Sequence, residues 1–151
     1  MNKLCFMFGH RDTPASVLPE IERAVESFHL KYEIGEFVVG NHGSFDRMAA
    51  QAVRTVQKKY PSIRLTLLLA YHPSAQKADT LSGYDDTLYP DGMENTPARF
   101  ALPRANQYMV RHANAVICYV GHTGNTHALL EEAERCAAKA HTPLINLAAG
   151  S

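Results

Sequence analysis

Three short stretches of this chain combine glycine with side chains that can hold or polarise an anion. They are Gly9-His10-Arg11-Asp12-Thr13, Gly40-Asn41-His42-Gly43-Ser44 and Gly121-His122-Thr123-Gly124-Asn125-Thr126. Glycine lets a ligand approach the backbone, and the free N–H groups and positive dipole end of a helix that starts just afterwards favour phosphate or carboxylate. The plain alternative for each stretch is a turn that uses glycine for its backbone angles and Asp or Ser as a cap. Three such stretches on one edge of a sheet favour a ligand site, because ligands in parallel α/β sheets gather at the carboxyl ends of the strands.

Other residues widen the chemistry. His10, His42, His72, His122 and His127 follow apolar runs, so five of the eight histidines are expected at that same edge. Neutral imidazole ligates metals, but no HxxxH pair with an acidic partner occurs, and hydrogen bonding to phosphate or ribose is the expected role, with no metal and no cofactor. Arg104 and Asn106 precede the fourth apolar run, where an arginine can grip a phosphate bidentately or lie on a solvated helix face. Asp46, Glu131 and Glu132 are the candidate general acids or bases, and each has an ordinary alternative as a helix cap or a solvated pair. Tyr71, Tyr84 and Tyr89 can cover a base or pack a loop.

The elements that must position these residues alternate in type. Leu4 to Phe8, Glu36 to Val39, Leu65 to Ala70, Ala115 to Val120 and Thr142 to Leu147 read as strands. Between them lie helix-period stripes: Val17, Leu18, Ile21, Ala24, Val25 and Phe28; then Met48, Ala49, Ala52, Val53 and Val56; then Leu129, Ala133, Cys136, Ala137 and Ala140. Thr13-Pro14 reads as the start of the first helix, Ser44 or Asp46 as the cap of the second, and 104–113 as a further helix. Such alternation predicts βαβ units, and so a Rossmann-like three-layer α/β/α sandwich with a mainly parallel, five-stranded sheet. Periodicity disappears from 73 to about 103, which reads as a long loop or flap, ordered on binding or partly ordered and with room for a short strand or turn inside it, within a single domain spanning 1–151.

Composition narrows the function classes. Fifteen Lys plus Arg balance fifteen Asp plus Glu, so there is no global field to draw the chain onto nucleic acid or anionic lipid, and a nucleic-acid partner is not expected. Cys5, Cys118 and Cys136 are odd in number and widely spaced, as for small hydrophobes in a reducing compartment. The apolar stretch near Met1 is too short for a signal peptide or a membrane span. A cytoplasmic, non-membrane protein is expected, and a unit this small is expected to form homo-oligomers.

The blocks Phe8-Gly9-His10-Arg11, Val39 to Asp46, Arg104 to Val110 leading into Ala115 to Val120, and Gly121 to Thr126 together resemble the SLOG superfamily over nearly the whole chain. The resemblance is to small stand-alone bacterial and phage members, and more distantly to LOG-type phosphoribohydrolases and Smf/DprA proteins. It implies a nucleotide or nucleotide-derived ligand, with ADP-ribose-type signals in antiphage defence among the family's uses. Its implied contacts are Gly9, His10, Arg11, Gly40, Gly43, Asp46, Arg104, Asn106, Gly121, Gly124 and Thr126; His42, His122 and Asn125 join them from the residue reading.

The family's enzymes carry a turn of the form PGGxGTxxE. Here Val120 stands for the proline, His122 for the second glycine, Asn125 separates Gly124 from Thr126, and an apolar residue near Leu129 takes the place of the glutamate. Backbone cradling of phosphate survives those changes, whereas a positioned hydrolytic base does not. The expectation is therefore a binding protein, with an N-glycosidic hydrolase of nucleoside monophosphates as the alternative.

Overall fold

The computed structural model describes residues 3–149. Its strands run in the order β4-β3-β2-β1-β5-β6, every neighbouring pair parallel. They are β1 (Lys3–Gly9), β2 (Ile34–Val39), β3 (Arg64–Leu68), β4 (Asp86–Leu88), β5 (Ala115–Tyr119) and β6 (Leu144–Asn146). The helices are α1 (Leu18–Tyr32), α2 (Ser44–Lys59), α3 (Ala78–Leu81), α4 (Ala98–His112) and α5 (Asn125–Ala140). This is the Rossmann-like α/β sandwich that the alternating pattern predicts, with six strands among the described residues rather than five.

Side-chain alternation along β1 divides the core. Cys5 and Met7 face α1 and α2 and join Ile21, Val25, Phe45, Ala49 and Val53. Phe6 and Phe8 face the other way and join Ala101, Ala105, Met109, Leu130 and Ala133 from α4 and α5. On α5 the buried residues are Leu130 and Ala133, while Leu129 and Cys136 are half-buried and Ala140 is exposed, so the apolar stripe is rotated by one residue from the one expected. Burial pushes the Cys5 thiol up and the Cys118 thiol to about 12, which makes both poor nucleophiles.

The segment expected to be a flap is built. Residues 73–103 hold two 3-10 turns, α3, β4 and the first turns of α4. Strand β4 is the short strand that the flap reading leaves room for, and its position is hidden in the sequence because it has three residues at a sheet edge and two of them are exposed. The Asp85 carboxylate anchors it by accepting the Leu65 N–H and the Gln57 amide, each at 2.8 Å. Helix α4 begins at Ala98 and carries Pro103 inside it, whereas the sequence places a boundary there. A proline at that depth lacks the N–H that would bond one turn back, and the buried Ala101, Ala105 and Met109 offset the loss. Of the three tyrosines, Tyr84 lies under the Arg54 guanidinium and Tyr89 meets the His72 ring, contacts that pack this segment, and Tyr71 is exposed.

Two helix starts also differ from expectation. Pro14 is extended and leads through a 3-10 turn into α1, while the Thr13 hydroxyl donates to the His10 carbonyl at 2.7 Å instead of capping α1. Helix α2 is preceded by Gly43 and no side chain caps it.

Candidate functional site

The strand order reverses at β1, which has β2 on one side and β5 on the other. A cleft of about 660 Å³ opens there, within the range of small-molecule sites. Its walls come from the carboxyl end of β1, the β2–α2 turn, and the facing sides of α4 and α5.

The loop after β1 ties the three glycine stretches together. Ser44 donates its N–H to the Arg11 carbonyl at 2.9 Å and its hydroxyl to the Thr13 carbonyl at 2.7 Å. On the other side, His10 Nε2 accepts the N–H groups of Gly121 at 2.9 Å and His122 at 3.3 Å. The His10 and His122 rings stack at 3.6 Å with 9° between their planes. Burial, with the nearby His122, holds His10 below its ordinary value of 6.5, while Asp12 pulls the other way.

Several of the glycines serve protein contacts rather than a ligand. A Cβ on Gly9 would lie 2.5 Å from Phe45 Cγ, and one on Gly43 would lie 2.6 Å from Arg11 Cα. Gly124 is the exception, with φ of +137° and open space around it. Such a backbone angle favours glycine, and it leaves the start of α5 open, with no side-chain cap and no acid in its first turn. Asn125 and Thr126 both line the cleft there.

Opposite lies Asp46, whose Oδ2 accepts the His42 N–H at 2.9 Å. Burial pushes this carboxyl up to about 6, against the opposing pull of that N–H and of Arg11 and Arg47. His42 is lowered by burial and by Arg11. Among the described residues Arg11 forms no salt bridge, although it is exposed at the cleft.

Of the residues singled out from sequence, Gly9, His10, Arg11, Gly40, His42, Gly43, Asp46, Asn106, His122, Asn125, Thr126 and Glu132 line the cleft. Glu132 accepts the Arg111 Nε–H at 2.9 Å. Glu131 does not line it and faces His127 at 3.7 Å. Arg104 also lies off the cleft, exposed on the outer side of α4, because Leu102, Pro103, Asn106 and Gln107 take the helical positions that face inward. Gly121 and Gly124 shape the turn without lining the cavity, and His72 caps a 3-10 turn instead of reaching the site.

Sequence reasoning missed Asp12, which reaches His122 at 3.6 Å, and Asn146. The Asn146 amide accepts the Val120 N–H at 2.9 Å and donates to the Val120 carbonyl at 3.0 Å, extending the sheet by one side chain. His10, Asp12 and His122 each bring one atom within 4.8 Å of the others. Stacked parallel rings cannot aim their in-plane lone pairs at one ion, and His10 Nε2 is already an acceptor, so this donor set suits hydrogen bonding better than a metal.

No family model matches the chain, and no curated protein does. Solved structures share its fold. DNA processing protein A from Helicobacter pylori, described in its single-stranded DNA binding mode, has 13% identity and a TM-score of 0.57 over 94% of this chain and 63% of that one. DNA processing protein A from Streptococcus pneumoniae has 14% identity and a TM-score of 0.58 over 98% and 60%. A molybdenum cofactor binding protein from Rippkaea orientalis has 14% identity and a TM-score of 0.60 over 97% and 76%. The chain therefore spans less than two thirds of either DNA-processing protein, and the likeness is one of fold alone.

Proposed function

We propose that the cleft binds a nucleotide or nucleotide-derived small molecule, an ADP-ribose-type signal among them, to sense or sequester it. Arg11 carries this reading: a cation without an ion-pair partner among the described residues, on the loop that joins both flanking turns, at the mouth of a switch-point cleft. The uncapped start of α5 adds N–H donors for phosphate, and Asp46 offers an acceptor for ribose hydroxyls at the opposite wall. The description of the Rippkaea protein as a molybdenum cofactor binding protein is in keeping with such a use of the fold.

One observation favours a second reading, N-glycosidic hydrolysis of a nucleoside monophosphate. Asp46, pushed up to about 6, and Glu132 are both cleft carboxyls, and a carboxyl near neutrality suits general acid or base work. Nucleic acid also enters the test as a competitor. The Helicobacter protein binds single-stranded DNA, and α4 here carries Arg99, Arg104 and Arg111 without a single acid, so a neutral overall balance does not decide against it.

The test is native mass spectrometry of the purified chain with a panel of nucleotides, ADP-ribose isomers and a short single-stranded oligonucleotide, followed by denaturing extraction. Retention of an intact nucleotide supports the binding reading. Recovery of free base and ribose phosphate moves the function to hydrolysis, and retention of the oligonucleotide alone overturns both.

A further inference from the structure

Two backbone N–H groups of the β5–α5 turn are already engaged by the protein. Those of Gly121 and His122 converge on His10 Nε2. An imidazole nitrogen accepts a hydrogen bond only when it carries no proton, so this geometry requires the neutral ring with its proton on Nδ1. His10 is 5% exposed, and the Thr13 N–H and hydroxyl both donate to its carbonyl, which pins the backbone beneath the ring.

We propose that His10 is a proton-operated latch on the Gly121–Gly124 turn. Neutral, it holds the turn closed by taking two N–H groups. A proton at Nε2 sets donor against donor, so the turn is released and both N–H groups become available to an anionic oxygen in the cleft. The charged ring then donates where it formerly accepted, and ring and turn converge on the same oxygen. No covalent bond changes, and the proton comes from solvent. The release of the turn stands on its own; the capture of an anion rests on the binding reading above.

Groups on every neighbouring element bear on that proton. From the β5–α5 turn, His122 lies face to face with His10, and a charge on either ring opposes one on the other. From the β1 loop, Asp12 lies 3.6 Å from His122 Nε2 and favours charge on His10, and Arg11 is next in sequence. Tyr119 of β5 lies with its ring nearly perpendicular to His10, centroids 6.3 Å apart, and His42 and Asp46 stand at the α2 side of the cleft. Because burial and His122 lower His10 from 6.5, the latch is closed at neutral pH and opens only as pH falls below 6.5. A bound anion shifts the opening upward, since negative charge near an imidazole favours its protonated form.

The latch can be read without a ligand. In ¹⁵N-labelled protein titrated from pH 8 to 5, His10 is expected as the Nδ1–H tautomer at pH 8. The Gly121 and His122 amide shifts should follow the midpoint of the His10 side chain, and their hydrogen exchange should quicken roughly tenfold relative to β5 once it is charged. His10→Gln keeps an acceptor but cannot titrate, so both amides should lose that midpoint. An Nε2–H tautomer at pH 8, or amides that stay flat while His10 titrates, would overturn the latch in the wild-type chain alone.

The anion half is read by calorimetry of inorganic phosphate in two buffers of different ionisation enthalpy. Proton uptake approaching one per phosphate in the wild type and none in His10→Gln is expected. Binding without uptake overturns this half. No binding at all overturns it too, together with the anion reading, while the amide titration still decides the latch.

Discussion

The ring of Phe45 lies directly against the Cα of Gly9, with the position of a Cβ on Gly9 only 2.5 Å from Phe45 Cγ and 2.7 Å from Cδ2. Phe45 is fully buried at the start of α2, so it cannot step aside into solvent. Gly9→Ala is therefore expected to cost about 1–3 kcal/mol of stability by overpacking, read by urea unfolding. Phe45→Leu should recover part of that loss in the double variant, a non-additive result; strict additivity would show that the two residues do not clash.

Asp46 gives a pH prediction of definite sign. Its folded value, about 6, lies above the ordinary 3.8, so its contribution is most favourable below 3.8 and is lost as pH rises through about 6. Asp46→Asn keeps an acceptor for the His42 N–H and removes the charge. It should be more stable than the wild type by about 1–2 kcal/mol at pH 8, after allowance for partial solvent exposure, and equal to it near pH 3. A variant less stable at pH 8 would mean that the ionised carboxylate is held by the fold.

Arg11 and Arg104 separate the cleft from the outer face of α4. Arg11→Gln is expected to weaken binding of a phosphate-bearing nucleotide by about 10- to 100-fold in calorimetric titration, the usual scale for a charge-assisted hydrogen bond. Arg104→Gln should leave affinity unchanged, since that side chain lies off the cleft. Equal losses would place the ligand across α4.

If free base is released from a nucleoside monophosphate, the two neighbouring glutamates should behave differently. Glu132→Gln removes a cleft carboxylate and should reduce release at least tenfold, whereas Glu131→Gln, altered at a group that faces His127, should not. Chromatography of the products decides, and an effect confined to Glu131 would end this assignment.

Asn146 supports the turn from behind. Its amide serves both the N–H and the carbonyl of Val120 and also accepts the Ala148 N–H at 3.2 Å. Asn146→Ala should cost about 1–3 kcal/mol in unfolding experiments, the sum of two or three modest hydrogen bonds. Asn146→Asp should cost more, because it sets a carboxylate oxygen against the Val120 carbonyl.

The parts legible in the sequence were those with a repeating period or a local signature. Five strands and the long helices declared themselves through apolar runs, and the glycine stretches marked three walls of the cleft. The position of strand β4 within the flap, and its place in the sheet, were not legible, because three residues cannot display an alternation and its anchors, Leu65 and Gln57, are about twenty or more residues away in the chain. Helix α4 was cut short because Pro103 is a local stop signal, whereas the burial that overrides it is a property of the packed layers. The glycines were found for an incomplete reason: close approach was foreseen, but Phe45 and the Arg11 backbone are what approach Gly9 and Gly43. Asn146 carried no sequence signal, since an asparagine at a strand end looks the same whether or not it spans to a neighbour.

The Asn146 clamp gives the protein a mechanical axis. Strand β6 is held to β5 along a short ladder, and its final side chain grips the residue from which the His10-bound turn departs. Tension on the segment after β6, from a tether or a fused partner, would therefore reach the rim of the cleft through the Asn146 amide and the Leu147 N–H bonded to the Cys118 carbonyl at 2.8 Å. A fusion attached before β1 would load the far ends of the strands and leave the rim slack, so the choice of attachment point amounts to a choice of whether to strain the site.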